Sequence, residues 1–519
     1  MKKTSKILSI LLCITLFSTL LVGCGGSMGA FNSNQDQGKI EDSANLNEDT
    51  NGEENEDNKE NPELEVEQPT VAKFVSPYNI QYPDAVRGIY VTSHSAGGAR
   101  FEKLLDLVTT TDLNAMVIDI KDDHGYITYP LEDGHPYKDL SRRNIKDVPA
   151  MMKVLEQHQI YPIARIVVFK DSVMAQIKPE WSFKENGQVW KNRRGESFIN
   201  PFLQEVWDYN VEIAKMAAEL GFKEIQFDYV RFPEGFENRD DSLQYAFGAY
   251  KDRKPTKLIE LEETYQVEIA SYQKNHSELL QLKESLQGNI NRLDAEIAQA
   301  ASQAPAQGTN TPTAKDPRKA MLEKEMLDLN KRITDLEKRK PKEPNFTAKD
   351  MNVHARVDAV TDFVAYAKEQ LKDYDVQVSV DIFGYTATLP EAPGIGQNFS
   401  KISSNVDVIC SMIYPSHWTN NYFGIPRPDI EPYRLVKEYI KMENAKLAEL
   451  PKPPVSRPWI QDFTASWLGS GNYKVYGKKE VEDQIRALNE DGVWEFLLWN
   501  AGNNYTQGVN YVPIGKKPQ

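Results

Sequence analysis

The chain has 519 residues, of which 40% are hydrophobic and 26% are charged, and its formal net charge is -15. This length and balance are typical of a globular protein with a large core and more than one module. The negative charge argues against nucleic acid as a main partner, because phosphate binding requires basic patches.

The N-terminal residues, MKKTSKILSILLCITLFSTLLVGCGG, have the order of a secretory signal. Lysines come first, an apolar segment follows, and the stretch LVGC resembles a bacterial lipobox. Cleavage there would leave Cys24 as a lipid-bearing first residue, whereas the alternative is a plain signal peptide with a chance cysteine. We therefore predict a signal peptide at 1–23 and a palmitate-type anchor at Cys24, on the extracellular face of a bacterial cell membrane.

Residues 24–72 are predicted to form a disordered acidic tether, since the stretch EDSANLNEDTNGEENEDNKENPELEVE is almost entirely acid and amide. The chain has three cysteines, Cys13, Cys24 and Cys410. With Cys13 in the signal and Cys24 acylated, Cys410 is left without an internal disulfide partner. Its apolar surroundings, VDVICSMIY, predict a small core residue.

Short Val/Ile/aromatic segments alternate with longer periodic segments from about residue 85 onward. The predicted strands are 87–93, 115–121, 161–169, 224–232, 376–384, 406–414, 455–463 and 493–501. The predicted helices between them include 100–111, 145–158, 203–220, 354–373, 432–447 and 478–490. Eight strands with interposed helices predict an α/β fold of the (β/α)8 TIM barrel type. A doubly wound open sheet is the competitor, but no GxGxxG turn follows an early strand.

Residues 255–345 interrupt this alternation after the fourth strand. Mostly apolar residues recur every seven positions from Leu258 to Leu293, and isoleucines follow several of them at a distance of four, which is the pattern of a coiled-coil seam. After the connector QAPAQGTNTPTAKDP, a shorter stretch repeats the spacing. We predict an antiparallel coiled-coil hairpin inserted between two parts of the barrel, 85–250 and 350–512. The far part of the first helix would lack a cover, which leaves self-association, a protein partner or a solvated spacer as alternatives.

Two acids are predicted at the functional face of the barrel. Active sites of these barrels lie at the C-terminal ends of the strands, where Asp228 ends the fourth strand and Asp381 lies late in the fifth. Carboxylates at matching heights on neighbouring strands suit glycoside hydrolysis. We therefore predict Asp228 as nucleophile and Asp381 as acid, with exchanged roles as an alternative. The structural alternative is that each acid only pairs with an arginine such as Arg165.

Polar and aromatic residues collect at the same strand ends and are candidates for sugar binding, because sugar rings have apolar faces and polar rims. These candidates are His94, Asp119, Lys121, Arg165, Tyr414, His417, Trp418, Gln461, Trp499 and Asn500. Any single aromatic residue of this set is better explained by packing, and a buried pair of Asp119 and Lys121 could be structural. Arg231 is predicted to brace the loop after the fourth strand, and Glu495 to be structural, since it precedes the last strand's functional end.

Five stretches together resemble a bacterial glycoside-hydrolase-like family first described as a domain of unknown function: RGIYVTSHSAGG, MVIDIKDDHGYITY, GFKEIQFDYVRFPEG, VSVDIFGYTA and MIYPSHW. The resemblance covers roughly 85–250 and 350–510, leaving the insert outside. It implies a TIM barrel and a surface-exposed hydrolase of Gram-positive type. It also implies that Asp228 matches the nucleophile that ends the fourth strand in amylase-like relatives. Those relatives carry a glutamate after the fifth strand, where this chain has Asp381.

The leading functional prediction is a membrane-anchored extracellular glycoside hydrolase that cleaves an envelope or environmental polysaccharide by carboxylate acid/base chemistry. No cofactor or metal is predicted, and no zinc-like Cys/His spacing is present. The alternatives are a non-catalytic carbohydrate-binding protein, and an envelope scaffold that uses the coiled coil for partner binding.

Overall fold

The computed structural model describes residues 73–303 and 316–513. The predicted signal peptide, the acidic tether and Cys24 lie outside these described residues. Among the helices within them, none is both long enough and apolar enough to cross a membrane.

Eight parallel strands close into a barrel. They are β1 Arg87–Val91, β2 Ala115–Lys121, β3 Tyr161–Val167, β4 Glu224–Asp228, β5 Gln377–Phe383, β6 Val408–Met412, β7 Trp459–Gln461 and β8 Phe496–Trp499. Each strand pairs with the next, β8 pairs with β1, and β7 reaches β6 through Trp459 and Met412. A two-residue strand, Val455–Ser456, precedes β7 and pairs with β6. The predicted (β/α)8 barrel is confirmed.

The main helices are α1 Arg100–Thr109, α2 Val148–Gln157, α3 Gln204–Glu219, α4 Thr256–Ser302, α5 Pro317–Glu337, α6 Ala348–Gln370, α7 Phe399–Ser403, α8 Pro432–Ala448 and α9 Lys478–Glu490. Two further short helices, Ser93–Ala96 and Ser172–Ile177, and an antiparallel pair of short strands, Lys184–Glu185 with Gln188–Val189, lie in loops. Polar caps fix several starts. Asp147 accepts a hydrogen bond from the first turn of α2, and Thr347 with Asp350 forms a capping box on α6.

Side chains alternate between two cores because successive residues of a strand point to opposite faces. One set, which includes Val117, Cys410 and Leu497, fills the barrel interior. The other set, which includes Ile118 and Phe227, packs outward against the helices. This alternation directs the last residue of β4 and the fifth residue of β5 toward the interior.

A buried ionic cluster occupies the N-terminal end of the barrel. Arg457 contacts both carboxylate oxygens of Glu224 at 2.7 and 2.8 Å and the Oε2 atom of Glu495 at 2.8 Å. Its remaining Nη2 atom donates to the hydroxyl of Tyr82, which comes from the segment before β1. Glu495 therefore has a structural contact at the end of the barrel opposite the predicted site.

The two helices between β4 and α6 run antiparallel. Leu286 packs with Leu329 and Ile333, and Asp294 pairs with Lys319 at 2.5 Å. Since His276 contacts Glu337 near the end of α5, the shorter helix lies along the barrel-distal half of α4. The part of α4 that extends past α5 is thus close to the barrel, rather than the far part that the sequence led us to expect.

Candidate active site

A cavity of about 460 Å³ opens where the strands reach their C-terminal ends. Four carboxyl groups and three arginines line it, and most of the other lining residues are aromatic. The lining residues are Asp123, Arg165, Arg194, Asp228, Tyr229, Arg231, Glu234, Asp381, Phe383, Gly384, Tyr385, Met412, Tyr414, His417, Trp459 and Trp499. Both predicted catalytic acids are in this set.

Asp228 ends β4 and is held from two sides. Its Oδ2 atom accepts hydrogen bonds from Arg165, at 2.6 Å from Nη2 and 2.9 Å from Nε. Its Oδ1 atom accepts the backbone N–H of Tyr229 at 2.6 Å. Tyr229 has a φ of +53°, a left-handed conformation that is uncommon for a bulky side chain and costs conformational energy. The chain therefore turns sharply just after Asp228, and the turn supplies one of its hydrogen bonds.

Arg165 connects three carboxylates and is almost completely buried, with an exposure of 1%. Besides Asp228, it contacts Asp119 at 2.7 Å through Nη1 and Asp123 at 3.2 Å through Nη2. The other oxygen of Asp119 accepts the hydroxyl of Tyr90 at 2.6 Å. Five donors on a planar group make such bridging possible for arginine. The geometry of Asp228 therefore depends on a side chain from the neighbouring strand β3.

Burial and ion pairing act in opposite directions on the carboxylates around Arg165. Burial raises the pKa of Asp119 to about 6, although Arg165 opposes this increase. Burial also opposes ionisation of Asp123, but Arg165 and Lys170 outweigh it and lower the pKa of Asp123 to about 2. Asp123 is thus a fixed negative charge at the cavity wall, while Asp119 lies behind it, buried against Tyr90.

Asp381 lies on the strand next to Asp228 and at the same height. The β4–β5 ladder pairs Phe227 with Val380, so the following residue of each strand, Asp228 and Asp381, occupies the next rung. The Oδ1 atom of Asp381 accepts the indole N–H of Trp459 at 2.7 Å. Burial, and then the negative charge of Asp228, raise the pKa of Asp381 well above its usual range.

The two carboxyl groups therefore differ in their surroundings. Asp228 has an arginine on one oxygen, whereas Asp381 is buried, contacts a neutral indole and faces a like charge. Because Asp381 is buried and experiences the negative charge of Asp228, its protonated form is favoured. Such a pair can attack or stabilise a developing positive charge with one member and transfer a proton with the other.

Four of the predicted sugar-binding residues line the cavity: Arg165, Tyr414, His417 and Trp499. Trp499 stacks on Tyr90 with ring centres 4.2 Å apart, and the ring of Tyr414 lies 6.3 Å from that of Trp499. Arg165 lies 5.7 Å from the Trp499 ring. The aromatic rings and the buried guanidinium group of Arg165 therefore lie on the same wall of the cavity.

Lys121 lies outside the cavity, which corrects the prediction that it binds substrate beside Asp119. Its ammonium group is fully buried, pairs with Asp171 at 2.7 Å and donates to Asn210 on α3. The β2–β3 register skips one residue between Asp119 and Lys121. This bulge turns Lys121 toward α3, so the parity that the sequence suggests is broken.

The prediction that Trp418 and Gln461 bind substrate is also wrong, because both side chains are buried and contact other parts of the protein. Trp418 lies against Tyr439 of α8, with ring centres 5.6 Å apart. The Gln461 amide donates to Asp429 and accepts a hydrogen bond from the backbone N–H of Ser416, so it fixes the end of β7 to the loop after β6. Neither side chain reaches the cavity wall.

His94 and Asn500 follow β1 and β8 but do not line the cavity either. His94 is exposed in the short helix Ser93–Ala96. Asn500 donates to the backbone oxygens of Asp462 and Asn504, and thereby fixes the loop after β8. Their position after a strand correctly placed both residues at the C-terminal end of the barrel, but it did not predict which way their side chains point.

Several lining residues were missed by the sequence reasoning. Asp123 follows β2 by two residues in KDDHGY, and its position just after a strand was a usable signal. Arg231 braces the next loop, as predicted, through the backbone oxygen of Phe232 and the carboxylate of Glu234. It also lines the cavity, as does Glu234. Arg194 comes from the loop between β3 and α3, where no strand pattern pointed to it.

Two carboxyl groups on neighbouring strands, at the face where TIM barrels carry active sites, form an arrangement suited to glycoside hydrolysis. A family model described as "Putative glycosyl hydrolase domain" matches residues 88–282 and 330–505. The chain belongs to this family, because the match covers more than half of its residues. The match includes the barrel-proximal part of α4 and the end of α5, so only residues 283–329 of the insert lie outside the family pattern, not the whole insert as we expected.

Comparison with other proteins gives weaker similarities. None of the curated proteins matches the sequence. A hypothetical protein from Ruminiclostridium thermocellum ATCC 27405 is 35% identical over 31% of this chain and 83% of its own, with a TM-score of 0.28. The PgaB (BpsB) glycoside hydrolase domain from Bordetella bronchiseptica is 12% identical over 80% and 94%, with a TM-score of 0.44. A beta-galactosidase from the psychrophilic Marinomonas ef1 is 11% identical over 83% and 57%, with a TM-score of 0.42.

Proposed function

We propose that the protein hydrolyses a polysaccharide with retention of anomeric configuration. The observation that carries this proposal is that Asp228 and Asp381 directly follow Phe227 and Val380, which pair across neighbouring strands, and that both acids line the cavity. Neighbouring strands are about 4.7 to 4.9 Å apart. Carboxyl groups about 5 to 5.5 Å apart suit retention, whereas inversion needs about 6.5 to 9.5 Å to admit a water.

In the proposed first step, a carboxylate oxygen of Asp228 attacks the anomeric carbon. The glycosidic C–O bond breaks, and the leaving oxygen takes the proton of Asp381. In the second step, Asp381 accepts a proton from water while the water oxygen displaces Asp228 from the sugar. Arg165 holds Asp228 in place through its hydrogen bonds, and the raised pKa of Asp381 suits a group that must begin protonated.

The proposed substrate is a polysaccharide from a cell envelope or from the environment. Aromatic rings at the cavity wall, such as Trp499 and Tyr414, offer faces for the apolar side of a sugar ring. Carboxylates and arginines on the same wall offer hydrogen-bond partners for hydroxyl groups.

Hydrolysis is expected to appear as newly formed reducing ends when the protein is incubated with a panel of envelope and plant glycans. The product released first should keep the anomeric form of the cleaved bond. Because Asp381 must be protonated to act as the acid, activity should fall as pH rises through its pKa. That pKa is raised, so the high-pH limit should lie above the usual aspartate value of about 3.9. Inverted product would contradict the proposed mechanism, and binding without cleavage would favour a carbohydrate-binding role.

We also propose that the enzyme acts from the extracellular face of a membrane, tethered by a lipid on Cys24. The support is the lipobox-like stretch LVGC followed by an acidic segment. Cys24→Ala is expected to move the protein from the membrane fraction to the medium of expressing cells, as followed by immunoblotting. An unchanged membrane fraction would contradict the anchor. Self-association or a protein contact through 255–345 stays a prediction.

A further inference from the structure

A run of aromatic residues leads from the cavity to the protein surface. Tyr414 and His417 line the cavity after β6. Phe463, just after β7, lies against both, with ring centres 5.9 Å from Tyr414 and 6.4 Å from His417. Trp467 then stacks on Phe463 at 5.8 Å and an interplanar angle of 20°. The catalytic wall is thus continued by two rings that do not line the cavity.

The last ring of this run is unusually open to water. Trp467 has an exposure of 65%, and every other tryptophan within residues 73–303 and 316–513 is buried or half-buried. A large indole face in water is unfavourable, and tryptophan is among the residues that are highly buried on average. An exposed aromatic face that continues a binding cavity is typical of a ligand contact.

The loop that carries Trp467 is tied to its surroundings. Ala465 is completely buried, and the backbone N–H of Tyr476 donates to the Thr464 hydroxyl at 3.1 Å. At the far side of the loop, Arg427 donates to the backbone oxygen of Gly471 at 2.6 Å. Asn472 closes the turn through the backbone oxygen of Leu468. A face held in place before binding loses little entropy when a ligand arrives.

We propose that Trp467, supported by Phe463, binds a sugar ring of the polysaccharide beyond the sugar that lies at Asp228 and Asp381. This inference rests on the proposed function, because it places a second part of the same glycan chain. Two ring-to-ring steps of 5.9 and 5.8 Å separate Tyr414 from Trp467, so a chain held at the carboxyl pair extends over the β6–β7 side. The substrate is therefore a chain of several sugars rather than a disaccharide.

The test uses the full chain with Asp228→Asn, so that bound glycans remain intact. Binding of cellohexaose, maltohexaose and the β-1,4-linked hexamer of N-acetylglucosamine is measured by titration calorimetry, and Trp467→Ala is then added. We expect a loss of affinity of at least about tenfold for the hexasaccharide that binds. Trp467→Phe should keep most of the affinity because it retains an aromatic face. Val475→Ala, at another exposed apolar residue of the same loop, is the matched control and should have no effect.

Equal affinity with and without the Trp467 indole would overturn the proposal, and so would the absence of binding by all three hexasaccharides. A shift from dimer to monomer in Trp467→Ala, measured by light scattering, would overturn it in favour of a contact between copies of the chain. Hydrolysis is measured separately with Asp228 intact. Release of reducing ends without a Trp467 effect removes only this subsite, whereas Trp467-dependent binding without hydrolysis removes only the proposed reaction.

Discussion

Asp228→Asn is expected to reduce the rate of reducing-end release by at least about a hundredfold, which corresponds to nearly 3 kcal/mol of activation free energy. The amide has almost the same shape, so the side chain can still fill its place beside Arg165 and Tyr229. It has lost the negative charge that, in the proposed mechanism, attacks or stabilises the anomeric carbon. The loss should therefore appear in kcat more than in KM.

A matched control comes from the opposite end of the barrel. Asp375 precedes β5, its side chain is 57% exposed, and it pairs with Lys223 at 3.3 Å. Asp375→Asn should keep nearly full activity, because an exposed pair contributes little to stability. Thermal unfolding of both variants separates loss of chemistry from loss of fold. Full activity in a folded Asp228→Asn protein would remove Asp228 from the mechanism.

The barrel and the position of the acid pair were readable from the sequence because both depend on local periodicity. Strands with alternating or continuous apolar residues are recognisable one at a time, and an acid late in such a strand must lie near the functional face. The sequence alone was enough to place Asp228 and Asp381 near each other, because their strands follow one another along the chain and pair side by side in the sheet.

Side-chain direction was readable only where the strands are regular. Lys121 has the parity of Asp119, yet one skipped residue in the β2–β3 register turns it toward α3. Trp418 follows β6 in a segment without strand parity, and only the position of α8 decides that it packs on Tyr439. Asp123 and Trp467 lie on loops, whose paths depend on long-range contacts rather than on periodicity.

The barrel interior contains two arginine–carboxylate clusters with different consequences. At the N-terminal end, Arg457 satisfies Glu224 and Glu495 and is completely buried. At the C-terminal end, Arg165 likewise holds carboxylates, but one of them, Asp228, faces an open cavity. The same interaction thus closes one end of the barrel and positions the proposed nucleophile at the other. Removal of Arg165 should consequently affect both stability and activity.

Arg165→Met is expected to lower the free energy of unfolding by about 3 to 5 kcal/mol, because Asp119 and Asp228 would remain buried without their cation. Arg165→Lys keeps the charge, but a single ammonium group cannot reproduce the separate contacts of Nε, Nη1 and Nη2. We expect the lysine variant to be less destabilised and still strongly impaired in hydrolysis. Urea unfolding and the reducing-end assay measure the two effects.

Two further variants make this prediction specific. Arg434 is 47% exposed, pairs with Glu431 at 3.4 Å and donates to the exposed backbone oxygen of Gly424 at 3.3 Å, so Arg434→Met should change stability by no more than about 0.5 kcal/mol. Adding Asp119→Asn to Arg165→Met removes one of the unpaired charges and should restore part of the lost stability. If Arg165→Met unfolds like the parent protein and hydrolyses glycan at the same rate, Arg165 is not needed to hold Asp228 in place. If the double variant is less stable than Arg165→Met alone, the unpaired charge of Asp119 is not the cause of the loss.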